Sequence, residues 1–274
     1  MDMARREGGI VVNADSMQVY SILRVLTARP TDDDLARAPH ALYGHVHPAQ
    51  AYSTGAWLRD VANLQEAGAF AGCRPIFTGG TGLYFRALAE GLSQMPDVPA
   101  ALRERWRDAL AVQGAQALHA ALQDKDPAAA AAIRPGDGQR IVRALEVFDA
   151  SGRSILDWQA RKGRPLIDRS SAQFFVIQPE RETLVRRIER RFDAMIADGA
   201  LEEVEALSAL QLDPGLPATR AIGFRELKAV LDGEISLPEA IERAKAATRQ
   251  YAKRQATWFR NQFGGEWRTL AGAP

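Results

Sequence analysis

Apolar positions change period several times along this chain, and the changes mark its elements. Ile10-Val11-Val12-Asn13 and Pro75-Ile76-Phe77-Thr78 are short β-branched or aromatic runs. Each is followed by polar or glycine-rich residues and then by apolar residues at helical spacing. Strand, loop and helix are therefore expected twice. A third run, Phe174-Phe175-Val176-Ile177, comes much later, and the stretch between the second and third runs is patterned almost throughout as helix. This spacing predicts an α/β fold, a parallel sheet core interrupted by a helical insertion. The insertion is expected over residues 98–172, with the core formed by residues 1–97 and 173–274.

Inside the insertion, Asp126 followed by Pro127 and an alanine run reads as an N-cap with proline at the first helical position, and Pro135-Gly136 breaks the chain before a new start at Asp137. From there Ile141, Leu145 and Phe148 fall at i, i+4 and i+7 while Gln139 and Arg143 share another face, and Gly152 supplies a stop. After Phe175 the pattern is helical from Glu182 to about Leu210, broken by prolines around Asp213 to Pro217, and closed by a long final helix.

Composition narrows this picture. With 274 residues, 46% of them hydrophobic, the chain can bury a large core. Its 35 Lys and Arg against 34 Asp and Glu give a net charge of +1, so any surface for a polyanion must be a local patch. The final helix provides one: between Ala240 and Gln262 there are six Lys or Arg and a single acidic residue, Glu242. Lys245, Arg249, Lys253 and Arg260 fall on one side of it, and Ile241, Ala244, Tyr251 and Trp258 on another. The one cysteine, Cys73, excludes an intrachain disulfide and a zinc ribbon and points to a reducing cytoplasm. No apolar run of about 18 residues is present, and the first residues lack the apolar stretch of a signal peptide, so no membrane association is expected. His40, His45 and His47 lack a fourth ligand at a recognised spacing, and no metal ligand is assigned within this chain.

Two loops carry the candidate chemistry. Asn13-Ala14-Asp15-Ser16-Met17-Gln18 follows the first strand at its carboxyl end, where open α/β sheets hold their ligands. Asp15 there is either a candidate base or, with Ser16, the cap of a following helix. Gly79-Gly80-Thr81-Gly82 follows the second strand, and its glycines let backbone N–H groups approach an anion while Thr81 offers a hydroxyl. Both loops are expected at the same edge of the sheet.

With these blocks in view, the chain resembles the tRNA dimethylallyltransferases, also called tRNA isopentenyltransferases, of the bacterial type. The resemblance rests on Asp15 to Tyr20, Thr27-Ala28-Arg29-Pro30, Tyr43-Gly44-His45, Gly79 to Tyr84, Gln139 to Glu146, Arg220 to Glu226 and Lys253 to Arg260, in that order along nearly the whole chain. It implies a P-loop-NTPase-like core and transfer of the five-carbon group of dimethylallyl diphosphate to N6 of adenosine 37 in tRNA, with release of diphosphate. Asp15 is then the base that takes the N6 proton and Thr81 the donor to the leaving oxygen, with Mg²⁺ neutralising the diphosphate. Ser16, Met17 and Gln18 are expected to meet the flipped base. The anticodon stem-loop would be gripped by Arg103 and by Gln139, Arg140, Ile141, Val142 and Arg143 of the insertion, and by Arg249, Lys253, Arg254 and Arg260 of the last helix. Arg220 and Arg225 are expected to hold either the diphosphate or an RNA phosphate. A cytoplasmic monomer is expected.

The family pattern also has an earlier strand and a phosphate-binding loop of the form Gly-Pro-Thr-Ala/Gly-Ser/Thr-Gly-Lys-Ser/Thr. These 274 residues contain no such loop. The alternative expectation is accordingly a catalytically impaired chain that retains RNA binding, with a central strand missing between neighbours whose edges are then unpaired.

Overall fold

A computed structural model describes residues 2–161 and 163–272. The chain falls into two compact units, Met1–Ala89 with Leu166–Pro274, and Glu90–Pro165.

Every strand among the described residues lies in the first unit. β1 (Ile10–Asn13) lies between β2 (His40–Ala41) and β3 (Pro75–Thr78), both parallel to it, and β4 (Phe174–Ile177) pairs in parallel with β5 (Trp267–Leu270). The helices are α1 (Asp2–Glu7), α2 (Asp32–Arg37), α3 (Thr54–Glu66) and α4 (Gly82–Glu90). In the second unit follow α5 (Ala100–Lys125), α6 (Pro127–Ala132), α7 (Gly138–Ser151) and α8 (Ile155–Gln159). The first unit then resumes with α9 (Arg181–Ala197), α10 (Ala200–Ala209), α11 (Phe224–Leu231) and α12 (Leu237–Gln262).

The three expected strands occupy the expected residues, and the fold is α/β with parallel pairing. The strands form two separate sheets, with no ladder joining β3 to β4 among the described residues. β2 and β5 were not anticipated. One is two residues long, and the other, Trp-Arg-Thr-Leu, has no β-branched run; both exist because a neighbouring strand supplies the partner backbone. Two further expectations need correction. The helix expected from Glu182 to Leu210 is two helices, because Gly199 takes φ 96°, a left-handed turn that a side chain would resist. The chain after β1 does not enter a helix at all. Asn13 Oδ1 accepts from the Asp15 N–H at 2.8 Å and Asp15 Oδ1 from the Met17 N–H at 2.8 Å, and these local bonds divert the backbone into turns as far as α2.

Those turns are nevertheless rigidly seated. Val19, Tyr20, Leu23 and Leu26 are buried against Phe192 of α9, Val204 and Leu207 of α10 and Leu227 of α11. Beneath the end of β1, Trp57 of α3 is fully buried, donates its indole N–H to the Asn13 carbonyl at 2.7 Å and stacks on Tyr84 at 4.5 Å between centroids. Truncating such a side chain costs about 3–5 kcal/mol. In the second unit, α5 and α7 pack around Leu118, Leu122, Ile141 and Leu145, and Asp149 gathers Arg105 at 2.5 Å, Lys125 at 2.9 Å and the Trp106 indole N–H at 3.1 Å.

Candidate active site

The loops after β1 and β3 meet at the carboxyl edge of the three-stranded sheet. The Ala14 N–H donates to the Thr78 carbonyl at 2.8 Å, the Thr81 N–H to the Ala14 carbonyl at 3.2 Å, and the Ser16 N–H to Thr81 Oγ1 at 2.9 Å. Such contact requires glycine. A Cβ at Gly79 would lie 2.2 Å from the Ala14 carbonyl carbon, and one at Gly82 would lie 2.1 Å from the Trp258 ring.

Asp15 sits at this junction. Burial pushes its pKa above the ordinary carboxylate range, against the opposing pull of backbone N–H groups of Met17, Gln18 and Gly80 and of the Arg191 charge. A desolvated carboxylate held by fixed donors and raised in basicity is suited to accept a proton from a weakly acidic group. Around it stand Tyr43, whose pKa is pushed up to about 12 by burial and by the Asp15 charge, and Tyr251, raised by the same two causes. Both remain neutral hydroxyl donors near neutral pH. Arg191 of α9 makes no hydrogen bond or ion pair among the described residues, and its pKa is lowered by desolvation with the Asp15 charge opposing.

Thr81 Oγ1 donates to Ser16 Oγ at 3.2 Å, so its hydroxyl must rotate to donate to an incoming oxygen. Gln18 Nε2 is committed to the Thr27 carbonyl at 2.8 Å and the Ala28 carbonyl at 3.1 Å, which leaves only its amide oxygen for a ligand.

One face of α12 braces the glycine loop. Gln255 Nε2 donates to the Gly80 carbonyl at 3.0 Å and Trp258 packs on Gly82. Gln255 and Trp258 were not assigned to the site from sequence, nor were Tyr43, Tyr251 and Arg191. The spacing of Tyr251, Gln255 and Trp258 at i, i+4 and i+7 was the available signal for a shared helix face.

The basic stripe on α12 is split by its packing. Lys245 is buried, bonded to Asp193 at 2.7 Å with Glu242 at 3.6 Å, and Arg249 lies 3.5 Å from Glu189. Lys253 and Arg260 are exposed without ion pairs among the described residues, and Arg254 lies over the Tyr251 ring at 5.7 Å. The expectation of one continuous stripe therefore holds only for the C-terminal half, since α9 presents Glu189 and Asp193 at the spacing of Arg249 and Lys245.

The structure does not bring every expected residue to the two loops. Arg225 is exposed without a bonded partner among the described residues, and Arg220 reaches only the Gly215 carbonyl at 3.4 Å. In the second unit, Arg103 and Gln139 are exposed, Arg140 lies 3.4 Å from Asp137, and Arg143 pairs with Glu146 at 3.1 Å. Ile141 is fully buried and Val142 packs beside it, so these two side chains serve the core of that unit rather than a surface.

Residues 18–262 match the family model described as IPP transferase. The chain is 65% identical to the tRNA dimethylallyltransferase of Mesorhizobium japonicum, over 98% of this chain and 84% of that protein. It is 60% identical to that of a Chelativorans species, over 97% and 91%. Among solved structures, the tRNA isopentenylpyrophosphate transferase of Bacillus halodurans aligns at 31% identity with a TM-score of 0.67, over 98% of this chain and 84% of that one. A eukaryotic dimethylallyltransferase acting on tRNA aligns at 27% identity with a TM-score of 0.80, over 98% and 69%. The α/β architecture with a P-loop-NTPase-like core is shared with these structures.

Proposed function

This chain belongs to the IPP transferase family, and from that premise we propose that it transfers the dimethylallyl group of dimethylallyl diphosphate to N6 of adenosine 37 in tRNA. The observation that carries the reading is the half-buried Asp15 carboxylate at the meeting point of the two loops, held by backbone N–H donors. An exocyclic adenine amine is nearly non-basic, so it needs a base as it attacks carbon. The N6 lone pair forms the bond to C1 of the dimethylallyl group, the C1–O bond breaks with its electron pair on the departing diphosphate, and the N6 proton passes to Asp15. Thr81, after its hydroxyl rotates, donates to the departing oxygen.

Phosphates of the anticodon stem-loop would be met in the first unit by Lys253, Arg254, Arg260 and Arg225, and in the second by Arg103, Gln139 and Arg140, all exposed. Arg220 is assigned to a phosphate of either substrate. The residues at the junction do not fit a Mg²⁺ site: Asp15 is engaged by backbone N–H donors, and the Ser16 and Thr81 hydroxyls bond each other. No step is assigned to the ion here. No described helix is long and apolar enough to cross a membrane. From the tRNA named as the substrate of its relatives, we place the enzyme in the cytoplasm. A monomer suffices, because Asp15, Thr81 and the bracing Gln255 belong to one chain.

The test is incubation of the chain with labelled dimethylallyl diphosphate and an anticodon stem-loop bearing adenosine 37. The expected result is label on the RNA, absent when guanosine replaces that adenosine. A stem-loop that binds and stays unlabelled would overturn the reading.

A further inference from the structure

Glu203 of α10 bonds three consecutive backbone amides far from it in sequence. Its Oε2 accepts from the N–H groups of Arg24 at 2.8 Å and Val25 at 2.7 Å, and its Oε1 from that of Leu26 at 3.0 Å. Hydrogen bonds to an ionised carboxylate are of the stronger kind, and three on one side chain restrict a turn to a single conformation. The flanking Leu23 and Leu26 are buried with Val204 and Leu207, neighbours of Glu203 on the same helix, so the turn is pinned by packing as well.

The next residues of that turn define Gln18. Its Nε2 donates to the carbonyls of Thr27 and Ala28. Carbonyl oxygens only accept, so these two contacts settle which end of the amide is nitrogen. The Oε1 accepts no hydrogen bond among the described residues and is left as an acceptor three positions from Asp15. Ala28 holds φ 50°, a conformation costly for alanine, which persists only where the surroundings impose it. Arg29 then reaches back to the carbonyls of Tyr20 at 3.1 Å and Ser21 at 3.3 Å, closing the turn on itself.

We propose that Glu203 is a positioning residue for nucleobase selection: by fixing the turn at Arg24 to Ala28 it makes Gln18 offer an amide oxygen to the bound base. This rests on the reading of Asp15 to Gln18 as a nucleobase site. An exocyclic amine carries two N–H bonds, enough for Asp15 and Gln18 Oε1 together. Guanine or hypoxanthine would set a carbonyl against both acceptors and is rejected by unpaired lone pairs. Glu203 touches neither substrate, and its effect passes entirely through the turn.

The experiment compares the chain with Glu203→Gln, Gln18→Ala and the double variant. Affinity is measured for anticodon stem-loops carrying adenosine, guanosine or inosine at position 37, and hydrogen exchange is measured at the amides of residues 24–26. Glu203→Gln is expected to speed exchange at those amides about tenfold or more and to narrow the adenosine preference about tenfold. Gln18→Ala narrows the preference comparably, and in its background Glu203→Gln adds nothing further. Unchanged exchange, an unchanged preference in Glu203→Gln, or effects that multiply in the double variant would overturn the proposal. Loss of the preference in the parent chain itself, with the amides still protected, would instead overturn the nucleobase reading on which it rests. Should Glu203→Gln fail to fold, Glu203→Asp, whose shorter side chain reaches fewer of the amides, is read by the same measurements.

Discussion

The junction around Asp15 and the C-terminal half of α12 use polar groups in opposite ways. At the junction nearly every donor and acceptor has an internal partner: the Asp15 carboxylate takes backbone N–H groups, Thr81 bonds Ser16 twice, and the Gln18 amide nitrogen serves two carbonyls. On α12, Lys253 and Arg260 stand exposed without ion pairs among the described residues. Preorganised groups in a partly dry site act over a short range and strongly. Exposed cations act through a screened field, weakly and additively. A substitution at the junction should therefore change chemistry, and one on the helix should change salt-dependent binding.

The largest expected effect is that of Asp15→Asn, about a thousandfold loss of transfer in single-turnover measurements, the middle of the range for removing a general base. The same change should leave the melting temperature equal or higher. Because burial raises the Asp15 pKa, the folded state holds its proton more tightly than the unfolded chain. The associated stability is present below the ordinary carboxylate range and is lost as pH rises through the raised value. Above that value the asparagine variant is expected to gain stability relative to the parent, and transfer in the parent is expected to rise with pH over the same interval. A variant that melts much lower, or keeps near-normal turnover, would break the assignment.

Next is Thr81→Ala, with a loss of about a hundredfold in turnover and little change in RNA affinity, measured as separate kcat and Kd. Smaller is Lys253→Met, which should weaken stem-loop binding severalfold and lower the slope of log affinity against log salt by roughly 0.7–0.9. The smallest is Lys245→Met on the same helix. Lys245 is already buried against Asp193, so neither affinity nor salt slope should move, and the cost in stability should stay small because the Asp193 carboxylate it leaves behind is largely exposed to water. If the two lysines proved equal in the salt titration, the division of the stripe would be wrong.

The site was legible to the extent that its chemistry is local. Asp15 and Thr81 follow strands whose apolar runs are plain, and glycines mark where backbones approach. Gln255 and Trp258 were visible only as members of a helix face, since what they brace is the loop of Gly80 and Gly82 near the other end of the chain. Glu203 gave no signal at all, because its partners are the amides of Arg24, Val25 and Leu26, groups every residue carries and no side-chain pattern reports.

By itself the amino-acid order determined three strands, the helical character of nearly everything else, and the two loops, because period, β-branching and glycine act within a few residues of where they stand. Tertiary structure alone decided that β2 and β5 exist, because each needs the backbone of a partner strand. The turns after β1 and the parting of α9 and α10 at Gly199 arise instead from local bonds and a glycine that the apolar pattern does not report. Tertiary structure also decided which cations of α12 remain free, since Lys245 and Arg249 meet Asp193 and Glu189, carboxylates brought by another helix, while Lys253 and Arg260 meet none among the described residues.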